Sequence, residues 1–351
     1  MAFEISHRPI GREYPPFVIA EMSGNHNQSL ERALEIVQSA ADAGAHAIKL
    51  QTYTPDTITL DIRGGNFEIS DSSSPWQGQN LHDLYGKAYT PWDWHEEIFS
   101  FAKSLGLVCF SSPFDETAVD FLETLDVPAY KIASFENNHL PLIRKAASTG
   151  KPLIISTGMA SIAELDHAVA AAKEAGCTNL ILLKCTSTYP ANPENTNINT
   201  IPHLQKLFDC EVGLSDHTMG VGVAVASVAL GACVIEKHLT LSRADGGVDS
   251  AFSLEPPEFK ALVLETERAW QSLGCVTYGP TSNESKSLIF RRSIYVAKDI
   301  SAGEPFTDQN IRIVRPGNGA PPYLYDKVLG RKCKLDLKAG SPLTIDNIFS
   351  D

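Results

Sequence analysis

The chain has 351 residues, 43% of them hydrophobic and 20% charged, a balance that suits one large folded domain and a small one and excludes a disordered or fibrous chain. A formal charge of −13 argues against nucleic acid or an anionic membrane as a partner. No stretch approaches the roughly 18 apolar residues of a membrane span, and the opening MAFEISHRPI lacks the apolar core of a signal peptide, so a cytoplasmic location is expected.

Eight short apolar runs follow in order: residues 17–24, 45–52, 107–113, 129–134, 152–158, 179–186, 210–217 and 233–240. Each is rich in Val, Ile and Leu and bounded by turn residues, as parallel strands buried on both faces should be. Helical patterns lie between them, such as SLERALEIVQSAADAG and SIAELDHAVAAAKEAG. Eightfold strand–helix alternation predicts an α/β fold, a closed (β/α)8 TIM barrel, and no GxGxxG follows the first run to suggest a dinucleotide fold. The interval 53–106 breaks the rhythm. It reads as an elaborated loop over one end of the barrel, with a helix near 91–104. Seven cysteines (109, 177, 185, 210, 233, 275 and 333) carry no CxxC pair and read as reduced thiols, with Cys185 and Cys233 as buried structural ones. The predicted barrel domain is 1–275, followed by a polar linker at 276–288 and a small, mostly β domain at 289–351. Within the latter, AKDISAGEPFTDQNI and LDLKAGSPLTIDNI form a pseudo-repeat.

Barrel enzymes place their chemistry at the C-terminal ends of the strands, and here nearly every run turns polar at that end. Lys49 and Lys131, with Ser112, Ser134, Ser156 and Ser215, suit an anion bearing both phosphate and carboxylate; pairing with an inward acid such as Glu236 is the structural alternative. His217 and His238 end the last two runs and can share a divalent metal such as Mn²⁺, Fe²⁺ or Zn²⁺. Glu21, on the first run, borders the eighth in a closed barrel and is a candidate acid–base group. Asp249 can reach sugar hydroxyls or the metal from the loop after the eighth run, or simply form a polar turn. Tyr189 either walls a pocket or packs. Arg315, in RPGNG, has a surface position as its default.

At these residues the sequence resembles the sialic acid synthase family. The motifs are IAEMSGNHN, KLQTY, SSPFD, YKIAS, STGM, CTSTYP, GLSDHT and EKHLT, with RRSIYVAKDI and RPGNG similar to that family's C-terminal antifreeze-like (SAF) domain, of the β-clip type. The resemblance runs in order over essentially the whole chain. It implies a barrel joined to an SAF domain in a domain-swapped homodimer. His217 and His238 would hold the metal, Mn²⁺ first, with Mg²⁺ or Co²⁺ as alternatives. Lys49, Ser112, Lys131, Ser134, Ser156, Ser187 and Ser215 match phosphoenolpyruvate positions, Ser187 least well because the family often has Asn there. Glu21, Gln51, Tyr189, Asp249 and Arg315 match positions around an acetamido sugar, Arg315 in trans.

Within the family, EMSGNHNQSLERALEIV, YTPWDWH and LSRADGGVDSAFSLEP resemble the branch that makes pseudaminic acid, used in flagellin glycosylation and bacterial surface polysaccharides. That implies phosphoenolpyruvate, water and open-chain 2,4-diacetamido-2,4,6-trideoxy-L-altrose as substrates, with C–O cleavage releasing phosphate. Trp76, Trp92 and Trp94 are expected to wall the sugar's methyl group. N-acetylneuraminate or legionaminate synthesis is the nearer alternative. A Schiff-base aldolase using Lys184, or an ice- or carbohydrate-binding tail on an inert barrel, is the more distant one.

Overall fold

Strict alternation of side chains along eight short strands organises the larger part of the molecule. The computed structural model describes residues 3–72, 74 and 76–348, and the chain divides into two compact units, Met1–Gly274 and Cys275–Asp351. The first begins with a hairpin of β1 (Phe3–Ile5) and β2 (Arg8–Ile10). The barrel strands follow as β3 (Phe17–Glu21), β4 (Ala47–Thr52), β5 (Val108–Pro113), β6 (Tyr130–Ile132), β7 (Leu153–Ser156), β8 (Leu180–Cys185), β9 (Glu211–Asp216) and β10 (Val234–His238). Each pairs in parallel with the next, and β10 closes on β3 with His238 opposite Glu21. These are the eight runs expected from sequence.

Eight helices form the outer ring: α1 (Leu30–Asp42), α4 (His95–Ser104), α5 (Glu116–Thr124), α6 (Leu140–Ala147), α7 (Ile162–Glu174), α8 (Thr200–Phe208), α9 (Gly222–Ala229) and α10 (Pro256–Ser272). Two more, α2 (Pro55–Ile58) and α3 (Leu81–Ala88), lie in the interval between β4 and α4. Local chemistry fixes their starts. Ser161 accepts from the Glu164 N–H while the Glu164 carboxylate accepts from the Ser161 N–H at 2.7 Å, a reciprocal cap for α7.

Because side chains on a strand alternate between faces, each barrel strand serves two cores. Outward residues such as Val18, Ile48, Tyr130, Ile155, Leu182 and Ile235 pack with the helices in the main hydrophobic layer. Inward residues Phe17, Ile19, Ala47, Val108, Phe110, Ile154, Ile181, Leu183 and Val234 fill the lower barrel, where Ile5 and Ile10 of the hairpin join the same cluster. The hairpin thus plugs the N-terminal end of the barrel. Gly213 allows this close packing, since a Cβ there would stand 2.2 Å from the Val234 carbonyl oxygen and 2.6 Å from Leu183.

The second unit has an antiparallel pair, β11 (Ser293–Val296) and β12 (Ile311–Val314), and a short helix α11 (Tyr325–Val328), around a core of Ile294, Ile300, Phe306, Ile311, Cys333, Leu337 and Leu343. The pseudo-repeat is structural as well as sequential. Ile300 and Leu337 exchange both backbone hydrogen bonds (2.9 and 2.8 Å). Asp299 accepts from the Ala339 N–H at 2.9 Å, and Asp336 from the Ala302 N–H at 2.8 Å. Thr307 and Thr344 each donate their N–H to the Asn three residues on, at 2.7 and 2.9 Å. A constant offset relates all three pairs, the mark of a local two-fold.

Candidate active site

The inward positions change character along each strand. The apolar lower barrel gives way to Glu21, Lys49, Gln51, Lys131, Ser156, Cys185, Ser215, Glu236 and His238 at the C-terminal ends. These residues line a single cavity of about 430 Å³. Of the fourteen residues singled out from sequence, eleven line it: Glu21, Lys49, Gln51, Lys131, Ser134, Ser156, Tyr189, Ser215, His217, His238 and Asp249.

An ionic chain crosses its floor. Lys49 bridges Glu21 and, at 3.7 Å, Glu236; Lys131 lies 3.3 Å from Glu236. Lys49 donates to Ser112 at 3.1 Å, Lys131 to Ser156 at 2.7 Å, and Ser215 to Glu236 at 2.9 Å. The lysine–Glu236 pairing raised as the structural alternative is therefore present, but on a cavity wall and not in a packed core. Burying four such charges costs several kcal/mol, of order, before their mutual attraction is counted. Burial pushes the Glu21 carboxyl up to about 7 against the pull of Lys49. For Glu236 burial acts the same way, yet Lys131 and Lys49 outweigh it and hold the group near 2. Glu21 can thus exchange a proton near neutrality while Glu236 stays ionised. Burial also lowers Lys131, opposed by Glu236.

Ser112 lies one hydrogen bond behind the cavity wall. Ser187 is set back as well, its hydroxyl 3.7 Å from Cys185 Sγ. Gly158 makes room there: a Cβ would fall 2.2 Å from Ser187 Oγ and 2.6 Å from Ser134 Oγ, so two hydroxyls converge on a glycine. The Gly158 N–H donates to Ser134 Oγ at 3.2 Å, and Asn137 donates to the Ser156 and Gly158 carbonyls at 3.3 and 3.0 Å.

His217 and His238 stand side by side with ring centroids 5.3 Å apart. His217 Nδ1 lies 3.0 Å from the Thr186 carbonyl, which can only accept, so that nitrogen carries a proton and Nε2 is the one turned to a ligand; against the effect of burial, Cys185 raises this imidazole. His238 Nδ1 is buried without a hydrogen-bond partner, and burial together with His217 holds this imidazole well below its ordinary pKa. Two imidazoles side by side, one with an orphaned nitrogen, fit a divalent metal, which would take the place of the proton that the Cys185 thiol favours on His217. Among the described residues no cluster of three or more His, Cys, Asp or Glu is arranged to hold an ion, so the pair would leave the remaining positions to small ligands.

Glu21 Oε1 accepts from Gln51 (3.1 Å) and from the Ser23 N–H (3.0 Å), and the Ser23 hydroxyl donates to Asp249. Tyr189 packs on His217 (4.6 Å) and Phe252 (5.0 Å).

Several expectations need correction. Of the three tryptophans only Trp76 reaches the cavity; Trp92 stacks on Phe121 and Trp94 packs edge-on against His26. Lys184 faces outward, as its place between the inward Leu183 and Cys185 dictates, and donates to the Cys185 carbonyl at 2.7 Å; it does not line the cavity, which removes the Schiff-base reading. Cys185 is more than a structural thiol: it lines the cavity 3.8 Å from His217 Nδ1, and although burial alone would raise it, His217 draws it down to about 6. Arg315 belongs to the second unit, beside Arg291, Arg292 and Ser287 around a shallow depression. Sequence reasoning passed over Glu136, Tyr53, Tyr85, Phe114 and Phe135, which line the cavity from turns, loops or, for Tyr85, the short helix α3, where no strand period marks them. Burial pushes Glu136 up to about 7.

The NeuB family model matches residues 36–278, and the SAF domain model residues 291–348. A pseudaminic acid synthase of Campylobacter jejuni is 45% identical over 327 residues, 93% of this chain and 95% of that one. One from Helicobacter pylori is 42% identical over 95% of this chain and 98% of its own. Among solved structures, the N-acetylneuraminic acid synthetase of Leptospira borgpetersenii in complex with citrate is 31% identical with a TM-score of 0.72, over 82% of this chain and 95% of that chain. A family model covering most of the barrel, and relatives matched nearly end to end, establish that the chain belongs to the NeuB family.

Proposed function

We propose that this protein condenses phosphoenolpyruvate with open-chain 2,4-diacetamido-2,4,6-trideoxy-L-altrose and water, giving pseudaminic acid and phosphate. The observation that carries this reading is the convergence of Lys49, Lys131, His217 and His238, distant in sequence, on one cavity. The sugar assignment follows the relatives: identity is 45% and 42% to two pseudaminic acid synthases, against 31% to the N-acetylneuraminic acid synthetase.

Phosphate and carboxylate are held by Lys49 and Lys131 with the hydroxyls of Ser134, Ser156 and Ser215, backed by Ser112 and Ser187; an arriving dianion takes over the counter-charge that Glu236 supplies at rest. Gln51, Tyr189 and Asp249 orient the sugar, and Arg315 of a second copy completes the site. A divalent cation on His217 and His238, Mn²⁺ on our reading, supplies Lewis-acid polarisation of the aldehyde carbonyl when bound. The methylene carbon of phosphoenolpyruvate forms the new bond to the aldehyde carbon, and Glu21 gives its proton to the aldehyde oxygen. Water adds at C2, the C–O bond to phosphate breaks, and the product cyclises.

A homodimer is supported by apolar side chains left exposed in both units: Phe135, Met159 and Met219 beside strand ends of the barrel, and Tyr278, Ile289 and Phe290 in the segment after it. We assign 1–275 to catalysis, 276–288 to the tether and 289–351 to the covering domain. No described helix is long and apolar enough to cross a membrane. We place the reaction in the bacterial cytoplasm, upstream of flagellin or surface-polysaccharide glycosylation.

A mass-spectrometric product assay with phosphoenolpyruvate, isotopically labelled water and a panel of hexoses tests this. Pseudaminic acid with the label in its C2 hydroxyl is expected. Preference for N-acetylmannosamine overturns the sugar, and label in the phosphate overturns C–O cleavage.

A further inference from the structure

Asp216 and Lys237 are charged, yet neither lines the cavity. Each precedes a histidine of the pair: Asp216 ends β9 just before His217, and Lys237 comes just before His238 in β10. Lys237 lies between two residues that face the cavity, Glu236 and His238, so strand alternation sends its side chain outward. There both side chains are 1% exposed, and the ammonium meets the Asp216 carboxylate at 2.7 Å. No step of the condensation uses them.

The remaining bonds of this pair bracket His217. The Lys237 ammonium also donates to the backbone carbonyls of Asp216, at 3.5 Å, and of Thr218. The other Asp216 carboxylate oxygen accepts from the Thr218 N–H at 2.9 Å. One side chain from β10 therefore grips the chain on both sides of His217. The pairing of β9 with β10 ends at Lys237 opposite Asp216, one residue short of the histidines. Beyond it the His217 carbonyl accepts from the Ala191 N–H and the His238 carbonyl from the Leu254 N–H, both at 2.9 Å, so each histidine is tied to a different loop. The Lys237 contacts extend the join between the two strands past that point, to Thr218.

Stability alone does not call for such a pair. Outward neighbours on the same strands, Leu214 and Ile235, are apolar, and replacing a buried ion pair by apolar side chains of similar size is often neutral or stabilising. Position is another matter. Metal–nitrogen bonds tolerate an error of about 0.2 Å. His238 Nδ1 has no hydrogen bond to hold its ring, so the spacing of the imidazoles depends on where the two backbones lie.

We propose that Asp216 and Lys237 are positioning residues, a buried clamp that sets the spacing of His217 and His238 for a divalent cation. The proposal rests on the metal reading of the histidine pair. The clamp touches neither cation nor substrate and acts through the backbone of residues 216–218.

The test is a Co²⁺ titration of metal-stripped, full-length protein, read by visible absorption and calorimetry. Wild type is compared with His217→Ala, Asp216→Asn and Lys237→Met/Asp216→Asn. The double variant removes both charges at nearly constant volume and keeps an oxygen to accept from Thr218. Wild type should bind the ion and His217→Ala should lose it. The double variant should bind about 10- to 100-fold more weakly, with shifted absorption bands, while melting within about 5 °C of wild type in the absence of metal. Asp216→Asn alone should weaken binding in the same direction, and decides the matter if the double variant does not fold. Equal affinity and an unchanged spectrum in a folded clamp variant would overturn the clamp and leave the metal site standing. Unfolding of both clamp variants would also overturn it, since the pair would then hold up the barrel and not the site. Co²⁺ bound equally by wild type and His217→Ala would overturn the metal reading itself.

Discussion

Glu21 and Glu236 show how one barrel gives two carboxylates different work. Both are buried beside lysines, but Glu236 lies between two ammonium groups and Glu21 answers mainly to one. Burial therefore wins at Glu21 and raises it to about 7, and loses at Glu236. A proton donor of this kind works below its pKa, so wild-type kcat should fall as pH rises through about 7. Glu21→Gln removes the proton and the limb together: we expect a flat profile and kcat lower by roughly 100-fold or more, with KM for phosphoenolpyruvate little changed. A Gln variant that keeps the wild-type profile would take the role from Glu21. Lys49, Lys131, His217 and His238 were legible in the sequence because a charged or titratable side chain inside an apolar run has no cheap place to go except a site. Glu136 and Tyr85 were not, because a 3-10 turn and an isolated short helix offer no period against which an inward residue stands out. Cys185 was misread because burial alone, without its neighbour His217, describes an inert thiol.

The barrel strands were legible as elements, since each run is short, apolar on both faces and punctuated by turns. The hairpin of β1 and β2 was not. Its strands are three residues long, and its turn places Ser6 and His7 at positive φ where the usual sequence signal is Asn-Gly. Helix α3 was missed in an interval read as a loop with one helix near its end. The hairpin nevertheless closes the lower barrel through Ile5 and Ile10, at 0% and 1% exposure. Ile10→Ala should cost about 2–4 kcal/mol in urea denaturation while KM for both substrates stays near wild type, because the plug and the cavity lie at opposite ends of the strands. A large change in KM with little loss of stability would show that the plug does not act as a structural cap.

At the scale of the whole molecule, the sequence yields two units and a pseudo-repeat, and the structure explains the repeat as a local two-fold through Ile300 and Leu337. The periodicity of one chain carries no information on the proposed swapped dimer, which would depend on surfaces that another copy covers. If Arg315 serves a partner, Arg315→Ala and His217→Ala proteins should each be inactive, and mixing them under exchange conditions should restore part of the activity. No recovery after demonstrated subunit exchange would place Arg315 outside the partner's site. On the proposed reaction, the ionic floor of the cavity receives the phosphate and carboxylate of one small molecule. A crystal structure with phosphoenolpyruvate measures this directly. The ligand is expected against Lys49 and Lys131 with its phosphate near Ser134 and Gly158; finding it elsewhere, with both lysines still paired to Glu236, would contradict the account.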